Sequence, residues 1–137
     1  MNVLFTCIGN TCRSQMAEGY ARAWGKAVME PASAGTFATG TMSPDIIRAM
    51  EEEGIDISDQ ESTQLTGEMI EEADLVVVMG GSPEKLFPEL LKEKAVYWPI
   101  PDPYGQPLSR IRRVRDLIKQ RVTDLIIELS KKTREKK

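Results

Sequence analysis

A chain of 137 residues with 41% hydrophobic and 28% charged side chains suits a single globular domain with one core. No apolar run approaches the roughly 20 residues of a membrane helix, so no membrane role is expected. The net charge is -3, yet Lys131 to Lys137 holds five basic residues and one acidic, leaving -7 on the rest; that body lacks the basic face nucleic acid requires.

The opening Met1-Asn2-Val3-Leu4-Phe5 has no charged side chain and no cleavage site, so it reads as a strand and not a signal peptide. A cytoplasmic location is the expectation. Residues 2–6 form a short buried strand, and a loop with Gly9 and Asn10 follows. From Ser14, placed as N-cap, the apolar residues Met16, Ala17, Tyr20, Ala21 and Trp24 recur at helical spacing. Residues 28–34 read as a second strand closed by Gly35. Ser43-Pro44-Asp45 starts a helix with Ile46, Ile47 and Met50 inward, and Gly54 ends it. A short helix runs from Thr66 through Glu72. Leu75-Val76-Val77-Val78-Met79 fits a strand covered on both faces. A helix is expected near 83–91 and a fourth strand at Ala95 to Trp98. Pro99 to Gly105, with three prolines, reads as an ordered loop. The last helix starts near Pro107 or Leu108. Its stripe is Ile111, Val114, Leu117, Ile118, Val122, Leu125, Ile126 and Leu129, opposite a solvated Arg/Lys face.

Strands alternating with helices predict an α/β fold: one domain over residues 1–130, a parallel sheet with helices on both sides, and a frayed basic tail at 131–137. Ligands of such sheets bind beyond the carboxyl ends of the strands. Cys7 ends the first strand and the Asp102 loop follows the fourth, so both can meet at one edge.

Cys7-Ile8-Gly9-Asn10-Thr11-Cys12-Arg13-Ser14 is a cysteine, five residues and an arginine between a strand and a helix. Five residues can wrap a tetrahedral anion with backbone N–H groups inward, and Gly9 and Asn10 tolerate the positive φ angles of such a wrap. The helix N-terminus adds positive potential, and Arg13 offers a planar fork for two phosphate oxygens. The same field favours the thiolate of Cys7, to which Ser14 can donate a hydrogen bond. A thiolate attacking phosphorus needs an acid for the leaving oxygen. The chain has no histidine, so Asp102, flanked by Pro101 and Pro103, is the candidate. Two cysteines cannot make a zinc site, and neither metal nor other cofactor is called for. Cys12 is either a small loop residue or a redox guard pairing with Cys7 under oxidation. Tyr104 either packs or stacks on substrate, while Trp24 and Trp98 read as packing residues.

The loop from Cys7 to Ser14 resembles the phosphate loop of low-molecular-weight protein tyrosine phosphatases. Asp102-Pro103-Tyr104 is similar to that family's general-acid motif, and Ser33-Ala34-Gly35-Thr36 and Ala73-Asp74-Leu75 with Met79 match its pattern. The resemblance spans roughly residues 2–129. It implies a four-stranded parallel sheet and hydrolysis of a phosphate monoester, phosphotyrosine in a protein or a small aryl phosphate, through a phosphocysteine at Cys7. It further implies that Arg13 and the loop (Ile8, Gly9, Asn10, Thr11, Cys12) bind phosphate, that Ser14 supports the thiolate, that Asp102 is the acid, and that Tyr104 and Ile8 wall the pocket.

A sister group of arsenate reductases shares that fold. Ser14-Gln15-Met16-Ala17-Glu18-Gly19 and Ser58-Asp59-Gln60-Glu61-Ser62 lean toward it. Its thioredoxin-coupled members need two more cysteines after the third strand, where this chain has Met79-Gly80-Gly81-Ser82, so a three-thiol relay is impossible here. A reductase using an external thiol needs Cys7 alone, and arsenate fits the same loop as phosphate. A weakly catalytic oxyanion-binding module is the third reading.

Overall fold

The computed structural model describes residues 1–135. Four strands, β1 (Asn2–Cys7), β2 (Glu30–Gly35), β3 (Leu75–Val78) and β4 (Ala95–Tyr97), form one all-parallel sheet in the order β2-β1-β3-β4. Five helices accompany them: α1 (Arg13–Trp24), α2 (Pro44–Glu51), α3 (Gly67–Glu72), α4 (Pro88–Leu91) and α5 (Leu108–Glu135). Each face of the sheet has its own core. On one side Phe5, Val77 and Trp98 pack with Met16 and Tyr20 of α1, Ile46 and Met50 of α2, and Val114 and Ile118 of α5. On the other, Leu4, Val76 and Val78 pack with Ile70 of α3 and Leu91 of α4. Val3, Leu4 and Phe5 are each 2% exposed or less, so β1 is apolar toward both cores, as a central parallel strand must be.

The register pairs Cys7 with Gly35 and Thr6 with Val78, which aligns the carboxyl ends of β1, β2 and β3. The connections leaving these ends therefore share one edge of the sheet, the expected place for a ligand. No helix among the described residues is long and apolar enough to cross a membrane.

Several local expectations change. The second strand begins at Glu30, because Val28 and Met29 donate to Gly25 O and close the turn after α1. The expected helix over 83–91 is broken into a 3-10 turn, Pro83–Lys85, and the four-residue α4. Pro88 has no N–H to carry a helix across the join. Leu117 is 49% exposed and leaves the apolar stripe of α5. The basic face of α5 is not simply solvated: Arg115 is buried and donates to Ala49 O and Glu52, Arg112 chelates Glu52, and Lys119 pairs with Glu53. These contacts dock α5 on the end of α2, and hydrogen bonding from Arg112 holds the Glu52 carboxyl down at about 2. α5 also continues through Glu135, so residues 131–135 are helical where a frayed tail was expected; 136–137 lie outside the described residues.

Trp98 is buried with its ring 6.0 Å from that of Phe5, while Trp24 is half-exposed and leans on Tyr20.

Candidate active site

The stretch from Cys7 to Arg13 turns its carbonyl oxygens outward. The N–H groups of Thr36, Phe37 and Thr39 donate to Cys7 O, Ile8 O and Gly9 O at 3.1, 2.8 and 3.1 Å. Gln15 Nε2 donates to Asn10 O at 2.9 Å, and Met16 N to Cys12 O at 3.0 Å. The backbone N–H groups of residues 8–12 donate to no acceptor among the described residues. Oxygens out and amides in is the polarity that binds an anion.

Close approach by β2 makes this turn possible. A Cβ on Gly35 would lie 2.4 Å from Ile8 O and 2.7 Å from Asn10 N, so only glycine fits there. Asn10 supplies the left-handed backbone, with φ 49°; Gly9, expected to share that task, does not have a positive φ. Its own constraint is space, since a Cβ would meet Thr11 Oγ1 and Thr39 Cγ2 at 3.3 Å.

Asn10 is fully buried and uses its whole amide. Nδ2 donates to Ser14 Oγ at 2.7 Å and to Ser33 Oγ at 3.0 Å; Oδ1 accepts from Thr63 N at 2.7 Å and from Gln15 Nε2 at 3.1 Å. Ser14 is not the helix cap it was expected to be. The cap position is Cys12, with no side-chain cap, and Ser14 Oγ lies 2.9 Å from Cys7 Sγ. Ser14 Oγ accepts from Asn10, and its own hydrogen is free to donate to the sulfur when Cys7 is a thiolate.

Arg13 is 6% exposed. Its Nη1 donates to Met79 O and to Ile100 O, so the ends of β3 and of the segment after β4 orient the guanidinium. Gly80 lies against it: a Cβ there would be 2.9 Å from both Nη atoms, and its φ of +142° is itself a glycine conformation. Arg13 Nε is buried without a hydrogen-bond partner among the described residues, and Nη2 faces Asp102 Oδ2 at 3.8 Å. The Nε–Nη2 edge is thus the open fork.

Asp102 Oδ1 accepts from Tyr104 N at 3.0 Å, which holds the carboxylate over the loop. Cys7, Ile8, Gly9, Thr11, Cys12, Arg13, Asp102 and Tyr104 all line one small cavity of about 180 Å³, joined by Phe37 and Thr39. Thr11 Oγ1 ties the loop to the 39–41 segment, 2.6 Å from Thr39 Oγ1. Both cysteines are free thiols. Burial pushes the Cys12 thiol up to about 12, with the charges of Asp102 and Cys7 adding and Arg13 opposing. Cys12 therefore stays protonated at neutral pH, when a thiol is a poor nucleophile.

Sequence reading brings together Cys7, Arg13, Ser14, Asp102 and Tyr104, and the structure does the same. It misses Phe37, 76% exposed at the cavity mouth, for a large exposed aromatic in a loop carries no motif. It also misses the supports of Asn10 and Gly9: Ser33, Gln15 and Ser62, whose Oγ donates to Gly9 O at 3.0 Å. All three lie in stretches that enter the sequence reading through resemblance alone, Ser33 in Ser33-Ala34-Gly35-Thr36, Gln15 in Ser14 to Gly19 and Ser62 in Ser58 to Ser62, with no role attached.

Residues 2–135 match the family model described as low molecular weight phosphotyrosine protein phosphatase. An arsenate reductase from Brevibacillus brevis is 40% identical over 125 residues, 88% of this chain and 90% of its own. A glutaredoxin arsenate reductase from Synechocystis sp. is 38% identical over 129 residues, covering 93% of this chain and 98% of its own. The solved structure of the YwlE arginine phosphatase from Geobacillus stearothermophilus superposes with a TM-score of 0.90 at 31% identity, over 98% of this chain and 96% of that one.

Proposed function

The chain belongs to the low molecular weight phosphotyrosine protein phosphatase family, and from that premise we propose that it hydrolyses phosphate monoesters, using Cys7 as nucleophile. One observation carries the reading: the loop at Cys7 holds its carbonyls outward, its amides unengaged and the open edge of Arg13 toward the same cavity. Phosphate is the tetrahedral anion that such a cradle fits.

The Cys7 thiolate attacks phosphorus, forming an S–P bond as the ester P–O bond breaks. Asp102 gives its proton to the departing oxygen. The loop amides and the Arg13 fork hold the three equatorial oxygens as charge spreads over them. Water then attacks phosphorus, its proton passes to Asp102, the S–P bond breaks and inorganic phosphate leaves with the thiolate restored. No metal takes part in these steps. Ile8, Phe37 and Tyr104, which are 44%, 76% and 66% exposed around the mouth, offer apolar walls to a planar leaving group. They support phosphotyrosine in a protein, or a small aryl phosphate, as substrate.

A second reading rests on the two arsenate reductase relatives. Arsenate occupies the same cradle, and Cys7 attacks arsenic with loss of water. Two cysteines are too few for a three-thiol relay, and burial keeps the Cys12 thiol protonated, so external thiols supply the electrons. One external thiol attacks the Cys7 sulfur, forming a mixed disulfide as arsenite departs. A second reduces that disulfide, so two thiols become one disulfide for each arsenate reduced.

The deciding experiment compares turnover of p-nitrophenyl phosphate, a phosphotyrosine peptide, a phosphoarginine peptide and arsenate with glutaredoxin and glutathione. The phosphoarginine arm follows from the likeness to an arginine phosphatase. Aryl phosphate turnover above the others is the expected result. Arsenate-dependent thiol oxidation with no ester hydrolysis would transfer the assignment to the second reading.

The acid role predicts a leaving-group signature. Asp102→Asn should slow hydrolysis of phenyl phosphate by roughly 10²- to 10³-fold, the scale of general acid catalysis, but p-nitrophenyl phosphate by less than about tenfold. Steady-state rates across substituted phenyl phosphates read this directly. An equal loss for every leaving group would remove Asp102 from the proton transfer.

A further inference from the structure

Five hydrogen bonds run without a gap from an exposed arginine to the sulfur of Cys7. Arg22 Nη2 donates to Glu18 Oε2 at 2.6 Å, and Ser33 Oγ donates to Glu18 Oε1 at 2.6 Å. Asn10 bridges Ser33 to Ser14, and Ser14 reaches the sulfur. The direction of this series is fixed by its donors and acceptors. A carboxylate only accepts, so the Ser33 hydroxyl hydrogen points at Glu18 and Ser33 Oγ can receive only from Asn10. The Thr63 N–H, a pure donor, independently places Asn10 Oδ1 on the far side. With Cys7 as the thiolate, which only accepts, the hydrogens run from Asn10 through Ser14 to the sulfur on one side and from Asn10 through Ser33 to Glu18 on the other.

Glu18 is 8% exposed and lies on α1 one turn after Ser14. A buried carboxylate is costly unless paired, and Arg22, with its side chain 48% exposed, supplies the pairing from the next turn of the same helix. Neither residue lines the cavity at Cys7.

We propose that Glu18, held by Arg22, is a positioning residue for Cys7: as an acceptor that cannot donate, it locks the Ser33 hydrogen away from Asn10, so that the Asn10 amide, oriented by the Thr63 N–H, stays seated against Ser14 while Ser14 donates to the Cys7 sulfur. The proposal rests on the reading of Cys7 as the nucleophile. Replacing the acceptor frees Ser33 to turn its hydrogen toward Asn10, which loosens the amide and lets the Ser14 hydroxyl rotate off the sulfur.

Glu18→Gln is the test, because it keeps the size and removes the acceptor-only character. The first readout is the rate of Cys7 alkylation by iodoacetamide at neutral pH, followed by mass spectrometry. The expected result is about tenfold slower alkylation, the scale of one charge-assisted hydrogen bond. Turnover of p-nitrophenyl phosphate should show a similar fall in kcat with KM within about twofold, since the phosphate contacts are untouched. In a Ser33→Ala background, Glu18→Gln should have no further effect on alkylation, an outcome that general loss of packing would not produce.

Arg22 gives a second route should the buried variant unfold. Arg22→Ala, at an exposed position, should slow alkylation severalfold, and Arg22→Lys should restore most of it. The proposal is overturned if Glu18→Gln and Arg22→Ala alkylate within twofold of wild type, or if the Glu18→Gln loss persists undiminished without the Ser33 hydroxyl. Wild-type alkylation no faster than that of a free thiol would sink the nucleophile reading and this proposal with it. Fast alkylation of wild type and variants alike would sink this proposal alone.

Discussion

Cys7→Ser is expected to lower turnover of phosphate esters by roughly 10⁴-fold or more, while inorganic phosphate still binds within about threefold of wild type. The two halves of that result have separate causes. Binding belongs to the loop amides and Arg13, which the substitution leaves in place. Turnover needs an ionised nucleophile at the cavity floor, and a hydroxyl there stays protonated. The neighbouring thiol cannot take over. Cys12 is held protonated at neutral pH, and its backbone already serves as the cap position of α1. Steady-state kinetics with p-nitrophenyl phosphate and calorimetric titration with phosphate measure the two halves on one sample. Loss of phosphate binding together with turnover would mean that the substitution had collapsed the loop; retained turnover would remove Cys7 from the chemistry.

Arg13→Lys should reduce kcat/KM by about 10³-fold, although the positive charge is kept. Removing a single oxyanion donor costs on the order of 10²- to 10³-fold, and this change removes two aims at once. The guanidinium spends Nη1 on Met79 O and Ile100 O and leaves Nε and Nη2 for the anion. An ammonium is a point donor at the end of a flexible stem. Turned to the two carbonyls it abandons the phosphate; turned to the phosphate it leaves two buried carbonyls unpaired, each of which costs free energy. The loss should fall on kcat as well as KM, because the fork matters most as charge spreads in the transition state. A reduction below about tenfold would show that charge alone, without the planar geometry, suffices.

The residues of the candidate site were legible in the sequence because they sit in short runs with fixed backbone demands. The eight residues from Cys7 to Ser14 contain both the proposed nucleophile and the arginine, and Pro101-Asp102-Pro103 marks the loop that meets them. The parallel sheet was legible for a similar reason, since Leu75 to Val78 can only be a strand buried on both faces. What escaped depends on register between distant segments. Ser14 looks like a cap by local rules, and only the placement of Asn10 and Cys7 across the loop assigns its hydroxyl elsewhere. Gly9 looks like the left-handed residue, yet Asn10 takes that conformation while Gly9 answers a crowding problem set by Thr39. Arg115 sits among basic neighbours and reads as solvated, but α2 ends where its guanidinium can reach Ala49 O. Ser33 and Glu18 sit in stretches that carry the family resemblance and Phe37 in none, but no local rule gives any of the three a role, because each acquires it only when β2 lies beside β1.

Arg13 belongs to the first helix by chain position, but its guanidinium is steered from Met79 and Ile100, some 66 and 87 residues downstream. The proposed oxyanion receptor is therefore assembled across the domain and not carried by its signature stretch. An excised peptide of the first 24 residues would contain the cysteine and the arginine and still lack a fork. Conversely, an anion seated in the proposed cradle would act as a staple among three segments remote in sequence. It would stabilise the fold by mass action, about 2.7 kcal/mol at a hundred times its dissociation constant, and that resistance to unfolding would extend to strands the anion never touches.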